Sequence, residues 1–299
     1  AADIIKEKTM QRTKKNKLLF FGYVSPWIIG FSCFGLFPLI YSLYISFCSY
    51  QMVGTPKFIG IQNYIDLFTE ERYFYKTFGN TFVYMMVTMI LGMSLGLLFS
   101  MMLRKVAKFS RLFQTVYYLP SVLPFMAGSM LWISMYAKYG ILNGILSAFG
   151  KDAVMFMSSK NAMKSIIAMS VWSGIGGKIT MLLPAVSGVP NDILESMDLD
   201  GAGECTKFRH ATLPIISPTI FYLLTMDIIG GLQVYGPMMM LGGGTATMTV
   251  TLQIYEYAMS DHIMGYASAY AWIVFVIVLL VTFIFFKFGG KKVYYADED

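Results

Sequence analysis

The sequence predicts an all-α integral membrane protein with six transmembrane helices, on three observations. Of 299 residues, 56% are hydrophobic and only 13% are charged, with a mean hydropathy of +0.59, whereas soluble chains carry about 25% charged residues. The apolar residues collect in six runs, of the order of the ~20 residues that cross a bilayer as a helix. Polar connections separate these runs, and one connection, 189–218, is itself patterned.

Taken in order, residues 1–17 are a basic, polar tail with lysines from Lys6 to Lys17. Basic residues beside a span are explained by topology and by attraction to anionic lipid, so the net charge of +6 is no nucleic-acid signal. The first span, 18–47, is too long for a signal-peptide core and lacks a small-residue cleavage pattern, so it reads as retained. Pro26 and Pro38 are expected to kink it, with neighbouring helices making good the lost hydrogen bonds. The connection 49–76 leads to the second span, 81–103, where Gly92 and Gly96 have a spacing that permits close helix approach. A short basic loop, 104–111, precedes the third span, 113–135, whose Tyr117, Tyr118 and Trp132 suit interfacial positions. Within the connection 136–164, YGILNGILSAFG reads as a short amphipathic helix near the interface. The fourth span is 165–186, the fifth 215–241 and the sixth 270–288, and 289–299 is a second tail. Six spans put both ends on one side. That side holds roughly 15 basic residues against about 7 on the other, which assigns the ends and the 189–218 loop to the cytoplasm.

Several chemistries are excluded or find no support. Cys33, Cys48 and Cys205 are odd in number and unclustered, giving neither a disulfide framework nor zinc spacing. His210 and His262 have no ligand partners in sequence, so no metal site is expected. No Ser/His/Asp set, HExxH or paired intramembrane carboxylates stand out, so no enzyme is expected. The GIGGKIT string at 174–180 fails as a phosphate loop: Trp172 stands where the first glycine is needed, and Ile179 follows Lys178 where Ser or Thr is required. If the chain pumps, the energy comes from another polypeptide.

The 189–218 loop is where it could arrive. Asp192 and Glu195 have capping-box spacing, so a short helix is expected from about Asp192, with Leu194, Met197 and Leu199 giving an apolar side. Gly201 and Gly203 break it, a second short helix runs from Glu204 towards Thr212, and Pro214 and Pro218 mark the return to the apolar run. Glu195, then Asp200-Gly201-Ala202, Phe208, Leu213-Pro214 and Pro218 resemble the EAA loop of binding-protein-dependent ABC importer permeases, with Ser196-Met197 standing where the family usually has Ala-Ala. PKFIGIQNYIDLF, RLFQTVYYLPSVLP, GGLQVYGP and MGYASAYA each resemble strings of the maltose-type carbohydrate branch, so the resemblance covers nearly the whole chain beyond the tail.

That resemblance implies the type I importer fold and a defined set of partners. These are a second homologous permease, two cytoplasmic ATPases that hold ATP and Mg, an extracytoplasmic binding protein, a carbohydrate substrate and the plasma-membrane bilayer, with no cofactor in this chain and no nucleic acid. It implies that Glu195 makes the charged contact to an ATPase, that Met197 and Leu199 anchor it, and that Gly201 sets the corner. Within the spans, Lys178 and Asp227 are charges at membrane depth, and such groups are functional candidates by default. Ser170, Ser173, Gly174 and Gly177 form one small-residue stripe on the fourth helix. Asp227, Gly231 and Val234 form another on the fifth, flanked by Gln233 and Tyr235. Close-packing faces, a structural Lys178–Asp227 pair or a snorkelling lysine each explain these residues. The resemblance implies instead a sugar pathway, roomier than a disaccharide carrier's, with Trp172 as a stacking group and Asp227 accepting from hydroxyls. A secondary transporter is the rival class, although no inverted repeat is visible; a non-transporting scaffold would leave the small-residue stripes unexplained.

Overall fold

The computed structural model describes residues 19–106, 110–290 and 293–294, so the 1–17 tail, Lys291 and Lys292 lie outside the described residues. The elements are α1 Leu19–Ser46, β1 Cys48–Ser49, β2 Lys57–Phe58, α2 Gln62–Thr69, α3 Phe74–Lys105, α4 Ser110–Val122, α5 Phe125–Tyr136, α6 Ile141–Ala148 and α7 Ala162–Ser187. They continue with α8 Asn191–Leu199, α9 Glu204–Ile215, α10 Ser217–Leu232, α11 Gly236–Leu241, α12 Val250–Tyr255 and α13 Met264–Gly289. The helices α1, α3, α7 and α13 are each long and apolar enough to cross a membrane alone. Two broken helices bring the number to six: Leu112–Val122 with Phe125–Ala148, bent by 96°, and α9 with α10, bent by 72°.

The breaks correct the expected third and fifth spans, which are not continuous rods. Pro124 cannot carry on the α4 ladder and adopts ψ 132°, outside helical geometry. In the fifth segment α10 stops at Leu232, and Gln233 to Tyr235 leave the helix before α11 restarts with Pro237 in its first turn. Pro38 is accommodated differently. The preceding turn, Ser32–Leu36, opens to a π-helix inside α1, which relieves the clash a proline ring makes with the carbonyl four residues earlier.

The core lies where α3 crosses α7 and α10. Ile175, Ile179 and Leu183 of α7 pack on Leu103, while Leu182 meets Met93 and Leu223. Between apolar helices in lipid such contacts, rather than expulsion of water, hold the bundle. Tyr117 packs against Phe99 at 5.1 Å and Trp132 against Tyr136 at 5.1 Å, both half-buried. A β-carbon at Gly176 would collide with the Tyr117 backbone, so this glycine is what lets α4 lie on α7.

On the face opposite the 189–218 segment, two of the strings named above, PKFIGIQNYIDLF and MGYASAYA, meet the start of α3 and the triple-glycine loop. Asn63 of α2 is buried and donates to the carbonyls of Ser46 and Cys48, both at 2.9 Å, which caps the end of α1. Gly265, at the start of α13, abuts the Cys48 carbonyl. Buried Tyr270 pairs with Thr77 at 2.7 Å, and the amide of Val250 donates to Thr81 at 3.0 Å. Gly242, Gly243 and Gly244 all have positive φ, and a β-carbon at Gly243 would lie 2.6 Å from the Thr247 hydroxyl. Asn80 clasps this loop through the carbonyls of Thr245 (3.1 Å) and Met248 (2.9 Å).

Two neighbouring glycines give a direct check of the packing. Gly176→Ala overpacks the α4–α7 contact and is expected to cost about 1–3 kcal/mol, lowering the melting temperature of the purified protein by several degrees. Gly174→Ala meets no atom within 4 Å and is expected to leave the melt unchanged or slightly raised, since alanine is the better helix former.

Candidate functional site: an ion-paired cavity and a glycine-cornered elbow

A cavity of about 200 Å³ opens between α3, α7 and α10, lined by Tyr84, Thr88, Gly92, Ser170, Val171, Gly174, Lys178, Met226, Asp227, Gly230 and Gly231. Each helix gives small residues on the side it turns to the others. The Lys178 ammonium donates to both carboxylate oxygens of Asp227, with side-chain exposures of 11% and 22%. Its stem lies flat on α3: a β-carbon at Gly92 would stand 2.7 Å from Lys178 Cε, and one at Gly96 3.1 Å from Lys178 Cβ. The Gly92–Gly96 spacing therefore admits a lysine stem, not only a bare backbone. Snorkelling is ruled out by this geometry, because the ammonium is tied to α10.

The expected pathway residues divide into groups. Ser170, Gly174, Lys178, Asp227 and Gly231 line the cavity, and Gly231 also packs on Met85, 2.5 Å from the place of its missing β-carbon. Ser173 and Gly177 do not line it; the Ser173 carbonyl accepts from Ser121 at 2.8 Å. Trp172 faces away into a separate cavity of about 410 Å³ with Phe99, Tyr117 and Pro120, and stands edge-on to Trp132 at 5.5 Å. It is therefore no stacking group for the Lys178–Asp227 cavity. The stripe through Asp227, Gly231 and Val234 ends early, since the helix stops at Leu232. Val234 is fixed by a 2.7 Å hydrogen bond from Thr249, Gln233 is exposed, and Tyr235 stacks on Tyr255 at 5.8 Å. Sequence reading missed Tyr84, Thr88 and Met226, which helical registry with Gly92 and Asp227 could have found.

The 189–218 segment forms a cornered elbow. Pro190 precedes α8 and makes no side-chain cap, so the capping box of Asp192 and Glu195 does not form, and the helix begins at Asn191. At its other end Gly201 takes φ +77°, and the amide of Ala202 donates to the Met197 carbonyl at 2.9 Å, closing a left-handed glycine cap. The second helix runs on through a π turn, Phe208–Thr212, to Leu213 and Pro214, and bends at Ile216 into α10. The expected apolar side is split. Leu194 packs inward with Val186, Val189 and Ile216, Met197 is half-buried, and Leu199 is 90% exposed. Glu195 and Asp200 are exposed, Ala202 is half-buried, and Phe208 lines a second cavity under the elbow.

The base of the elbow is clamped to the end of α3. Arg104 donates to the Val189 carbonyl (3.3 Å) and to Asn191 (3.2 Å), and Lys105 pairs with Glu204 at 2.7 Å. Lys207 bridges Asp198 and Glu204 across the glycine corner. The hydrogen bonds from Lys105 and Lys207 hold the Glu204 carboxyl below its usual range, and those to Asp198 and Glu204 hold the Lys207 ammonium above its own. Both groups are charged near neutral pH. Among the described residues no cluster of His, Cys, Asp and Glu could hold a metal.

A bundle with broken helices, a small cavity around an ion pair and a stiff exposed elbow has the layout of a membrane permease. Residues 89–290 match the family described as binding-protein-dependent transport system inner membrane component, and the chain belongs to that family. It is 31% identical to a probable ABC transporter permease protein, YesP, of Bacillus subtilis (strain 168), over 98% of this chain and 97% of YesP. It is 26% identical to the arabinooligosaccharides transport system permease protein AraP of the same organism, over 90% of this chain and 88% of AraP. The fold is shared with a chain of a bacterial ABC transporter involved in the import of the acidic polysaccharide alginate, at a TM-score of 0.83 and 22% identity, covering 94% of this chain and 98% of that one. The protein is thus a membrane-embedded transport component and not an enzyme.

The glycine bed of Lys178 can be checked by a double-mutant cycle. Gly92→Val should push the lysine stem off α3 and break its pairing with Asp227. Gly92→Val and Asp227→Ala are then expected to destabilise by similar amounts, and the double variant by much less than their sum. Additive losses in thermal melts would separate Gly92 from the pair.

Proposed function

We propose that the chain is one of two permeases of an ATP-driven importer that carries an oligosaccharide handed over by an extracytoplasmic binding protein. ATP and Mg are held by two separate ATPase subunits, since no phosphate loop is found in this chain. The observation that carries the reading is the elbow: two short helices fixed at Gly201, clamped at the base by Arg104 and Lys105, and presenting Glu195 and Leu199 outward. Leu199, 90% exposed beside exposed carboxylates, is an apolar group open to a partner cleft. Glu195 makes the charged contact, and Leu199, more than Met197, is the apolar anchor.

The excess of basic residues on one side supports a cytoplasmic position for the elbow and both ends, with the bundle in a bacterial inner membrane. The clasped surface on the opposite side, built from α2, the triple-glycine loop and α12, then receives the binding protein. The elbow is continuous with α10, so a force on it reaches Asp227 through one bent helix. Closure of the ATPases opens the Lys178–Asp227 cavity outward, and hydrolysis returns it inward, a two-state cycle biased from both sides. The oligosaccharide class is supported by the hydroxyls of Tyr84, Thr88 and Ser170 around that cavity and by the relative named for arabinooligosaccharides. Membership of the family weighs against a secondary transporter.

The test is uptake by the reconstituted complex. Transport is expected to follow ATP and to survive collapse of proton and sodium gradients. Gly201→Val, which forces a β-branched residue into the left-handed region, and Glu195→Lys are expected to leave the permease folded but to abolish uptake and release the ATPase on purification. Normal uptake and normal co-purification with both variants would contradict the coupling role.

A further inference from the structure

The solutes named for relatives and fold neighbours include both neutral and acidic saccharides, so the charge of the solute is not set by fold. We infer that Lys178 and Asp227 together act as a charge filter, through which this permease passes net-neutral, hydroxyl-rich sugars and holds back those bearing a carboxylate. The inference rests on the oligosaccharide reading above.

Lys178 and Asp227 are the charged residues that line the cavity, and they cancel. No other Asp, Glu, Lys or Arg stands in α10, between Lys76 and Arg104 of α3, or between Lys164 and Lys178 of α7. Within these stretches of the three helices the pair is therefore the source of charge at the cavity. Both carboxylate oxygens already accept from the ammonium, so the lysine has one donor left. Thr88 spends its hydroxyl proton on the Tyr84 carbonyl at 2.7 Å. An entering carboxylate would thus find no free cation. It would have to displace Asp227, leaving that group charged and unpaired at membrane depth, where such groups are costly.

A neutral sugar meets no such barrier. A carboxylate has about four lone-pair sites, so sugar hydroxyls can donate to those of Asp227 that the ammonium leaves open, without breaking the pair. The Lys178 stem lies along α3 over Gly92 and Gly96, and its ammonium is held by Asp227. Removing only the negative charge gives the sign of the switch: Asp227→Asn leaves a lone cation facing the cavity, which attracts carboxylates.

The experiment uses the whole importer in proteoliposomes, with its binding protein in excess. Matched trisaccharides differing only by oxidation at C6 serve as probes: galactotriose and trigalacturonate, and the corresponding glucose and mannose pairs. The wild type is expected to carry the neutral member at least tenfold faster, and Asp227→Asn to shift the ratio towards the uronate by at least tenfold. The variant Lys178→Met leaves a lone carboxylate facing the cavity instead. It is expected to widen the preference for the neutral member severalfold, whatever the absolute rate, and it decides the matter if Asp227→Asn fails to assemble. Equal uptake of both members by the wild type, an unchanged ratio in Asp227→Asn, or a ratio in Lys178→Met no wider than that of the wild type would overturn the filter. Uptake of no saccharide by a wild-type complex that still turns over ATP would instead overturn the oligosaccharide reading, and the filter with it.

Discussion

A charged side chain in the middle of a bilayer carries a cost of about 2.5–3.5 kcal/mol on insertion scales, and the bundle places two such groups against each other. Lys178 and Asp227 stand 49 positions apart in the chain, on α7 and α10. Their meeting requires α3, α7 and α10 to converge within the length of one lysine side chain. Gly92 and Gly96 make that possible by leaving a flat bed on α3 for the lysine stem. Deleting one partner would leave an uncompensated buried charge, whereas deleting both could be nearly neutral. The pair thus constrains which helices are neighbours more than it stabilises the fold.

Of the helices around the pair, α3 and α7 are continuous and α10 is interrupted at both ends, by the bend at Ile216 and the stop at Leu232. Backbone that leaves the helix at membrane depth is tolerated only where protein or a water-filled cavity satisfies it. The break at Gln233 to Tyr235 meets this condition through Thr249, which donates to the Val234 carbonyl. The bend at Ile216 is set between buried contacts to Val186 and Val189. A bend packed against the end of α7 transmits force, while a loose one would absorb it. The elbow and the carboxylate of Asp227 are in this way joined through one continuous stretch of chain.

The two ends of the bundle are built differently. The end away from the elbow is tied by short, largely buried hydrogen bonds among Asn63, Thr77, Thr81, Asn80 and Tyr270. Such a network keeps a fixed shape for a docking partner. The elbow is tied at its base by exposed ion pairs of Lys105 and Lys207, which salt screens and which contribute little to stability. Their role is orientation: they hold α8 and α9 at one angle about Gly201.

What could be read from the sequence was whatever depends on neighbours along the chain. Apolar run length gave the spans, Gly201 with its flanking polar residues gave the corner, and basic residues gave a sidedness. Periodicity placed Ser170, Gly174, Asp227 and Gly231 on faces that do line one cavity. The rest depended on contacts across the chain. Whether Lys178 pairs or snorkels, whether Trp172 turns into the cavity or away from it, and whether Leu199 is buried or exposed are decided by which helix lies alongside. The helix breaks after Val122 and Leu232 were equally hidden, because a proline or glycine in a membrane helix is tolerated or breaks it according to what neighbouring segments offer the freed backbone groups. Local patterns mark which residues can face inward; only the packed bundle settles what they face.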